Sequence, residues 1–164
     1  MTLPRLDPGE RLLIYGIGNP GRQDDALGVR LVECLATMGL TGNVTLDANY
    51  QLAPEDALLF SEHDVAIVAD ATVAAEAAAP YDVHPVEPRA TTAFTSHALG
   101  IGTVLELSAR LYGRTPRTYA LAMPAYAFDV NADLSPVAAR NLASTVDAVV
   151  AMLVDRSPDD AGRD

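Results

Sequence analysis

The sequence predicts one three-layer α/β domain: a mostly parallel, twisted sheet of about five strands with helices on both faces. Two observations predict it. Short apolar runs ending in Gly-, Asn- or Asp-bearing loops alternate with segments whose apolar residues recur at helical spacing. The chain has 164 residues, enough for one core, and no internal repeat or long interior linker divides it. The domain is expected over residues 1–156. The stretch Ser-Pro-Asp-Asp-Ala-Gly-Arg-Asp over 157–164 reads as a flexible C-terminal tail.

Each element has its own signal. Arg11 to Ile17 is apolar and runs into Gly16-Ile17-Gly18-Asn19-Pro20-Gly21, a buried strand entering a tight loop. From Asp24 to Met38, Leu27, Leu31, Leu35 and Met38 recur at helical spacing, acids sit at the start and Gly39 suits the stop. Asn43 to Ala48 is a second strand, ending in Asp47. Pro54 to Phe60 reads as a short helix with Pro54 at a first helical position.

Val65 to Ala69 is a fully apolar strand with Asp70 at its carboxyl end, and Tyr81 to Val86 is an edge strand because of Pro85. Thr95-Ser96 caps a helix running to Tyr112 with Ile101, Val104, Leu105, Ser108 and Leu111 on one side, and Gly113 ends it. Arg117 to Met123 is the next strand. Ser135-Pro136 opens a long helix with the stripe Leu142, Val146, Val149, Val150 and Leu153.

Composition excludes several functions. Twenty-two acids against 11 bases give a net charge of −11, and every base is arginine. A P-loop lysine and a Schiff-base lysine are therefore absent, and an acidic surface is a poor partner for nucleic acid. The single cysteine, Cys34, rules out an internal disulfide, a CxxC pair and a thiolate zinc cage. Between apolar neighbours, it reads as a small core residue. The opening residues lack the pattern of a signal peptide and no uninterrupted apolar stretch approaches a membrane span, so a cytoplasmic protein without membrane contact is expected.

In an α/β sheet the chemistry lies beyond the carboxyl ends of the strands, and there the sequence places acids. Gly16, Gly18 and Gly21 match GxGxxG, the outline of a dinucleotide-binding turn. Against that, Asp24-Asp25 would put carboxylates where a pyrophosphate needs a positive helix end. The same acids suit a cation. Asp24-Asp25, Asp47, Asp70 and His97 all fall at strand ends or helix starts. Two carboxylates and an imidazole suit nickel, zinc or iron and leave coordination positions open.

Each residue also has a plain structural use. Asp24 or Asp25 can cap the first helix, and Asp24 is assigned that job. Asp70 can cap a turn, His97 can start a helix with a satisfied hydrogen bond, and Asp47 can position the loop at Asn49-Tyr50. His63 and His84 read as surface or edge residues. Ser96 beside His97 makes no dyad, since adjacent side chains on a helix diverge. The glycines of the 16–21 loop would also let an extended peptide approach the backbone.

Residues 16–30, Gly-Ile-Gly-Asn-Pro-Gly-Arg-Gln-Asp-Asp-Ala-Leu-Gly-Val-Arg, resemble the opening motif of the hydrogenase maturation proteases, which trim the large subunits of nickel–iron hydrogenases. Ile67-Val-Ala-Asp-Ala71 is similar to that family's second acid segment, and Ser96-His-Ala-Leu-Gly100 to its histidine segment. The resemblance spans roughly residues 11 to 153 and implies that Asp25, Asp70 and His97 are the metal-binding and catalytic trio.

It further implies an endopeptidase that removes the C-terminal extension of a nickel-loaded large-subunit precursor, the nickel arriving with that precursor. The bound metal would dock the peptide, polarise the scissile carbonyl or lower the pKa of an attacking water. One departure stands out: Asp47-Ala-Asn-Tyr-Gln-Leu52 replaces the Gly-Gly-Thr loop of many members, as in the branch serving soluble, cofactor-reducing hydrogenases. The rival readings are a metal-sensing maturation chaperone that does not cut, and a dinucleotide-binding module.

Overall fold

The segment Leu12–Ile17 forms β1, and all but its last residue are buried, as a strand covered on both faces requires. The computed structural model describes residues 2–40, 42–73, 79–90 and 99–156. The remaining strands are β2 (Val44–Asn49), β3 (Val65–Val73), β4 (Asp82–Val86) and β5 (Arg117–Ala125). They form one sheet in the order β2-β1-β3-β5-β4, in which only β4 is antiparallel. Pro85 lies on that edge strand, as expected of a residue with no amide to donate.

Among the described residues four α-helices cover the sheet: α1 (Leu27–Ala36), α2 (Asp56–Ser61), α3 (Ile101–Tyr112) and α4 (Pro136–Val154). Strand alternation divides the core between them. Leu12, Ile14, Ile67 and Ala69 pack with the α1 and α4 residues Leu31, Leu35, Leu142 and Val149 on one face. Leu13, Tyr15, Ala66 and Val68 pack with Phe60 of α2 and with Val104 and Leu105 of α3 on the other.

Several boundaries differ from the sequence expectation. The first helix is split: Gln23–Ala26 is a 3-10 turn, α1 starts at Leu27, and Met38 lies past its end, 48% exposed. Pro54 precedes α2, which begins at Asp56. α3 begins at Ile101 after an extended Gly100, and the cap expected at Thr95-Ser96 lies outside the described residues; Leu111 points out, 63% exposed, because it lies past the buried Val104–Ser108 stripe. Gly113 ends that helix in the left-handed conformation, φ 68°, as its sequence position suggested.

α4 starts as expected, with Ser135 accepting from the Ala138 amide and Pro136 in the first turn. Among the described helices it alone is long and apolar enough to cross a membrane by length and composition. Its Leu142, Val146 and Val149 stripe is committed to the core. The tail expected over 157–164 lies outside the described residues.

Glycines set how closely α1 sits on the sheet. A Cβ on Gly28 would stand 2.3 Å from the carbonyl oxygens of both Ala69 and Ile17, and one on Gly16 only 2.2 Å from the Gly28 oxygen. Only bare backbone on both sides allows this approach.

Candidate functional site

The strand order reverses between β1 and β3, because β1 leads to β2 on one side while β3 lies on the other. Open α/β sheets have a crevice beyond the carboxyl ends at such a point. The two chain segments bordering it carry the two candidate carboxylates.

Asp70 belongs to β3 itself, not to the loop after it, because pairing with β5 carries the strand on to Val73 opposite Ala125. Its other neighbour is lost one residue earlier: Ala69 opposite Gly16 is the last pair between β3 and β1. Asp70 thus borders the gap left where β1 turns away, on the face of Ala66 and Val68. Its side chain meets solvent, but the surrounding protein thins its hydration. That desolvation, with the negative charge of Asp25 added, pushes the carboxyl up to about 6 against the Ala71 amide that donates to it.

Asp25 is half-buried in the 3-10 turn that follows β1. Its carboxylate accepts from the Asn19 amide at 3.3 Å, and its own amide donates to the Arg22 oxygen. Gly18 lies against this turn with φ 149°, where a Cβ would stand 2.0 Å from the Asp25 oxygen. Asn19 Oδ1 accepts from the Gly21 amide, closing the loop.

Asp24 does not cap the first helix as expected. It is fully buried and reaches across to the loop between β5 and α4. There its carboxylate accepts from the amides of Tyr126, Ala127 and Ser135 and from the Ser135 hydroxyl, at 2.6–3.1 Å. Burial alone would raise its pKa, but these donors, Ser135 first, more than offset it and hold the carboxyl below the ordinary range. The loops are laced further by the Asp129 amide to Gln23 Oε1 at 2.9 Å and by Arg22 over the Phe128 ring. Neighbouring acids are therefore divided: Asp24 is consumed in holding the loop that presents Asp25. Sequence offers no signal for this clamp, since its donors lie more than 100 residues away.

Asp47 is exposed within β2, its carboxylate accepting from the next amide, and Asn49 closes the strand. His63 is a correction. It is buried, 6% exposed, with Nδ1 at 2.7 Å from the Leu59 oxygen and Nε2 at 2.8 Å from Thr45 Oγ1, so both ring nitrogens are engaged in holding α2 to β2. His84 is exposed on the edge strand beside Asp82, as its sequence position suggested. Cys34 is partly buried against the core. His97 and Ser96 lie outside the described residues, and among the described residues no three His, Cys, Asp or Glu side chains converge as a metal cluster.

Gly16 and Gly18 turn their bare sides to Gly28 and Asp25 of their own chain, so close backbone packing alone already requires glycine at these two positions of the pattern.

Compared with solved structures, this architecture is a known one. The chain has the fold of the [NiFe] hydrogenase maturation proteases. The maturation protease HycI from Thermococcus kodakarensis KOD1 superposes with a TM-score of 0.71 at 18% identity, over 88% of this chain and 93% of that one. The maturating endopeptidase HybD from E. coli gives 0.67 at 24% identity over the same shares. A hydrogenase 2 maturation peptidase from Thaumarchaeota archaeon SCGC_AB-539-E09 gives 0.65 at 19%, over 90% and all of its length. No family model and no curated protein matches the sequence.

Proposed function

We propose that this protein is a processing endopeptidase for a nickel–iron hydrogenase large subunit, removing a C-terminal extension from the nickel-loaded precursor. What carries this reading is the placement of Asp25, on the turn after β1, and Asp70, where β3 runs on past β1, at the two borders of the switch-point crevice. Shared architecture with proteins named as hydrogenase maturation proteases supports it.

In this reading Asp25, Asp70 and His97 supply ligands to nickel carried by the precursor, so that the cut depends on nickel having been inserted. The donor set suits a borderline metal, and three protein ligands leave room for groups of the substrate. Hydrolysis adds water to the scissile carbonyl and transfers a proton to the leaving amine. A carboxylate within hydrogen-bond reach of that water serves as general base. Asp24 contributes only by fixing the backbone on which Asp25 stands. The protein is read as cytoplasmic, where the precursor is assembled.

The test is incubation with nickel-loaded and nickel-free precursor, followed by intact-mass analysis of the precursor. Cleavage of the loaded form alone, lost in Asp25→Asn, Asp70→Asn and His97→Ala, is expected. Equal cleavage of both forms, or full activity in His97→Ala, overturns the reading. An intact C-terminus despite nickel-dependent binding would instead identify a chaperone.

A further inference from the structure

β3 outruns its neighbour at the switch point. Its last pair with β1 is Ala69 opposite Gly16, whereas pairing with β5 continues to Val73 opposite Ala125. From Ala71 to Val73 the strand is therefore held on one side only. On the β1 side no described residue outside β3 bonds its main chain. β1 itself turns to β2 there, the Gly18 amide donating to the Asn49 oxygen.

Local bonding reports the same edge. The Ala71 amide turns to the Asp70 carboxylate of its own strand at 2.8 Å. Among the described strands two further amides do this, Ala48 to Asp47 on β2 and Val83 to Asp82 on β4, and those strands are the two borders of the sheet. A strand amide takes the adjacent side chain where no partner strand supplies a carbonyl. Main-chain groups of alternate residues point to one side of a strand, so Val73 presents its amide and carbonyl on the open side with Ala71. Val73 is 82% exposed, which leaves this flank open to a second chain. Asp70 begins the edge, so edge and candidate site are continuous.

We infer that the extended C-terminal segment of the precursor docks as an added strand along Ala71–Val73, in line with β1 and bonded through main-chain groups. The inference rests on the proposed peptidase reading and names how that substrate is held. An open strand edge is matched by the extended backbone of another chain, whose donors and acceptors repeat at the same spacing. Neighbouring strands lie about 4.8 Å apart, so the added main chain would pass beside Asp70 in the crevice that Asp25 also borders.

Hydrogen–deuterium exchange at the Ala71 and Val73 amides of the full chain tests it, alone and during cleavage of excess nickel-loaded precursor. Fast exchange of Val73 alone, with both amides slowed about tenfold or more by precursor, is expected. Val73→Pro removes an edge amide without touching the β5 ladder. It should lower kcat/KM about tenfold, through KM, at a melting temperature near the parent's, the scale of one or two lost hydrogen bonds. The exchange readout decides if that variant does not fold. Slow Val73 exchange in the protein alone, unchanged exchange during cleavage, or a folded Val73→Pro chain that cleaves like the parent overturns the inference, while cleavage in the same samples leaves the peptidase reading standing. Slowed exchange without cleavage would uphold the added strand and defeat the peptidase reading. Absence of both defeats both.

Discussion

Asp24 and Ser135 are joined twice: one carboxylate oxygen accepts the Ser135 amide at 2.7 Å and the other accepts its hydroxyl at 2.6 Å. The Ser135 hydroxyl lies within 3.4 Å of the Ala138 amide as well, so one serine links the start of α4 to the loop beneath Asp25. Asp24→Asn turns one acceptor into a donor facing other donors. It should cost about 2–4 kcal/mol in urea unfolding, the range for breaking a buried charged network. Asp25→Asn, one residue on and half-buried, should change stability by no more than about 0.5 kcal/mol while abolishing cleavage. Equal destabilisation of the two variants would refute this division of labour.

Gly28→Ala should be far more damaging than alanine usually is in a helix. The added methyl would meet the carbonyl oxygens of Ala69 and Ile17 at 2.3 Å, and neither can retreat without breaking the sheet register between β1 and β3. Overpacking of this kind costs about 1–3 kcal/mol or more. Gly39→Ala offers a contrast. Nothing lies near its side-chain position, so only its positive φ, 60°, opposes the change. Chemical denaturation of both variants separates crowding from backbone strain.

Asp70 predicts a trade-off between stability and activity. A carboxyl whose folded pKa is raised contributes stability fully present below its unfolded value, near 3.8, and lost as pH rises through about 6. At pH 7 the ionised side chain therefore works against the fold. Asp70→Asn should raise stability there by about 1 kcal/mol, after discounting for its contact with solvent, and by almost nothing at pH 4. Thermal melts at the two pH values check this. An unchanged melting temperature at pH 7 would mean that Asp70 is freely hydrated.

Asp64 runs the other way. Hydrogen bonds from the Arg11 side chain and amide, then the charges of Arg11 and Arg114, pull its carboxyl down to about 2 against a small desolvation cost. A lowered folded pKa gives stability present above the unfolded value and lost as pH falls from about 4 through about 2. Exposure of both arginines limits the gain to about 1 kcal/mol. Asp64→Asn should therefore lower the melting temperature at pH 7 and converge with the parent protein near pH 2.

Much of the architecture was written in local pattern. The apolar runs at Leu12 and Val65, the stripe Leu142-Val146-Val149 and the Ser135-Pro136 start became elements because burial and capping act within a few residues. Asp25 and Asp70 were legible as candidates for a related reason: each comes after an apolar run in the sequence, which places it toward the carboxyl end of a strand. His63 misled, because an isolated histidine near a helix end gives no sign that Thr45 waits opposite one of its nitrogens.

The sequence by itself determined the layered α/β class, the edge position of the Pro85 strand and the acidic, lysine-free character of the surface, all of which follow from composition and short-range periodicity. Only the tertiary structure decided which of two adjacent aspartates is consumed in a buried hydrogen-bond network, and that Gly16, Gly18 and Gly28 stand where backbone segments pack too closely for a side chain. These depend on groups tens of residues apart meeting in space, and a hydrogen bond or a steric clash leaves no trace in a linear pattern until the chain has folded.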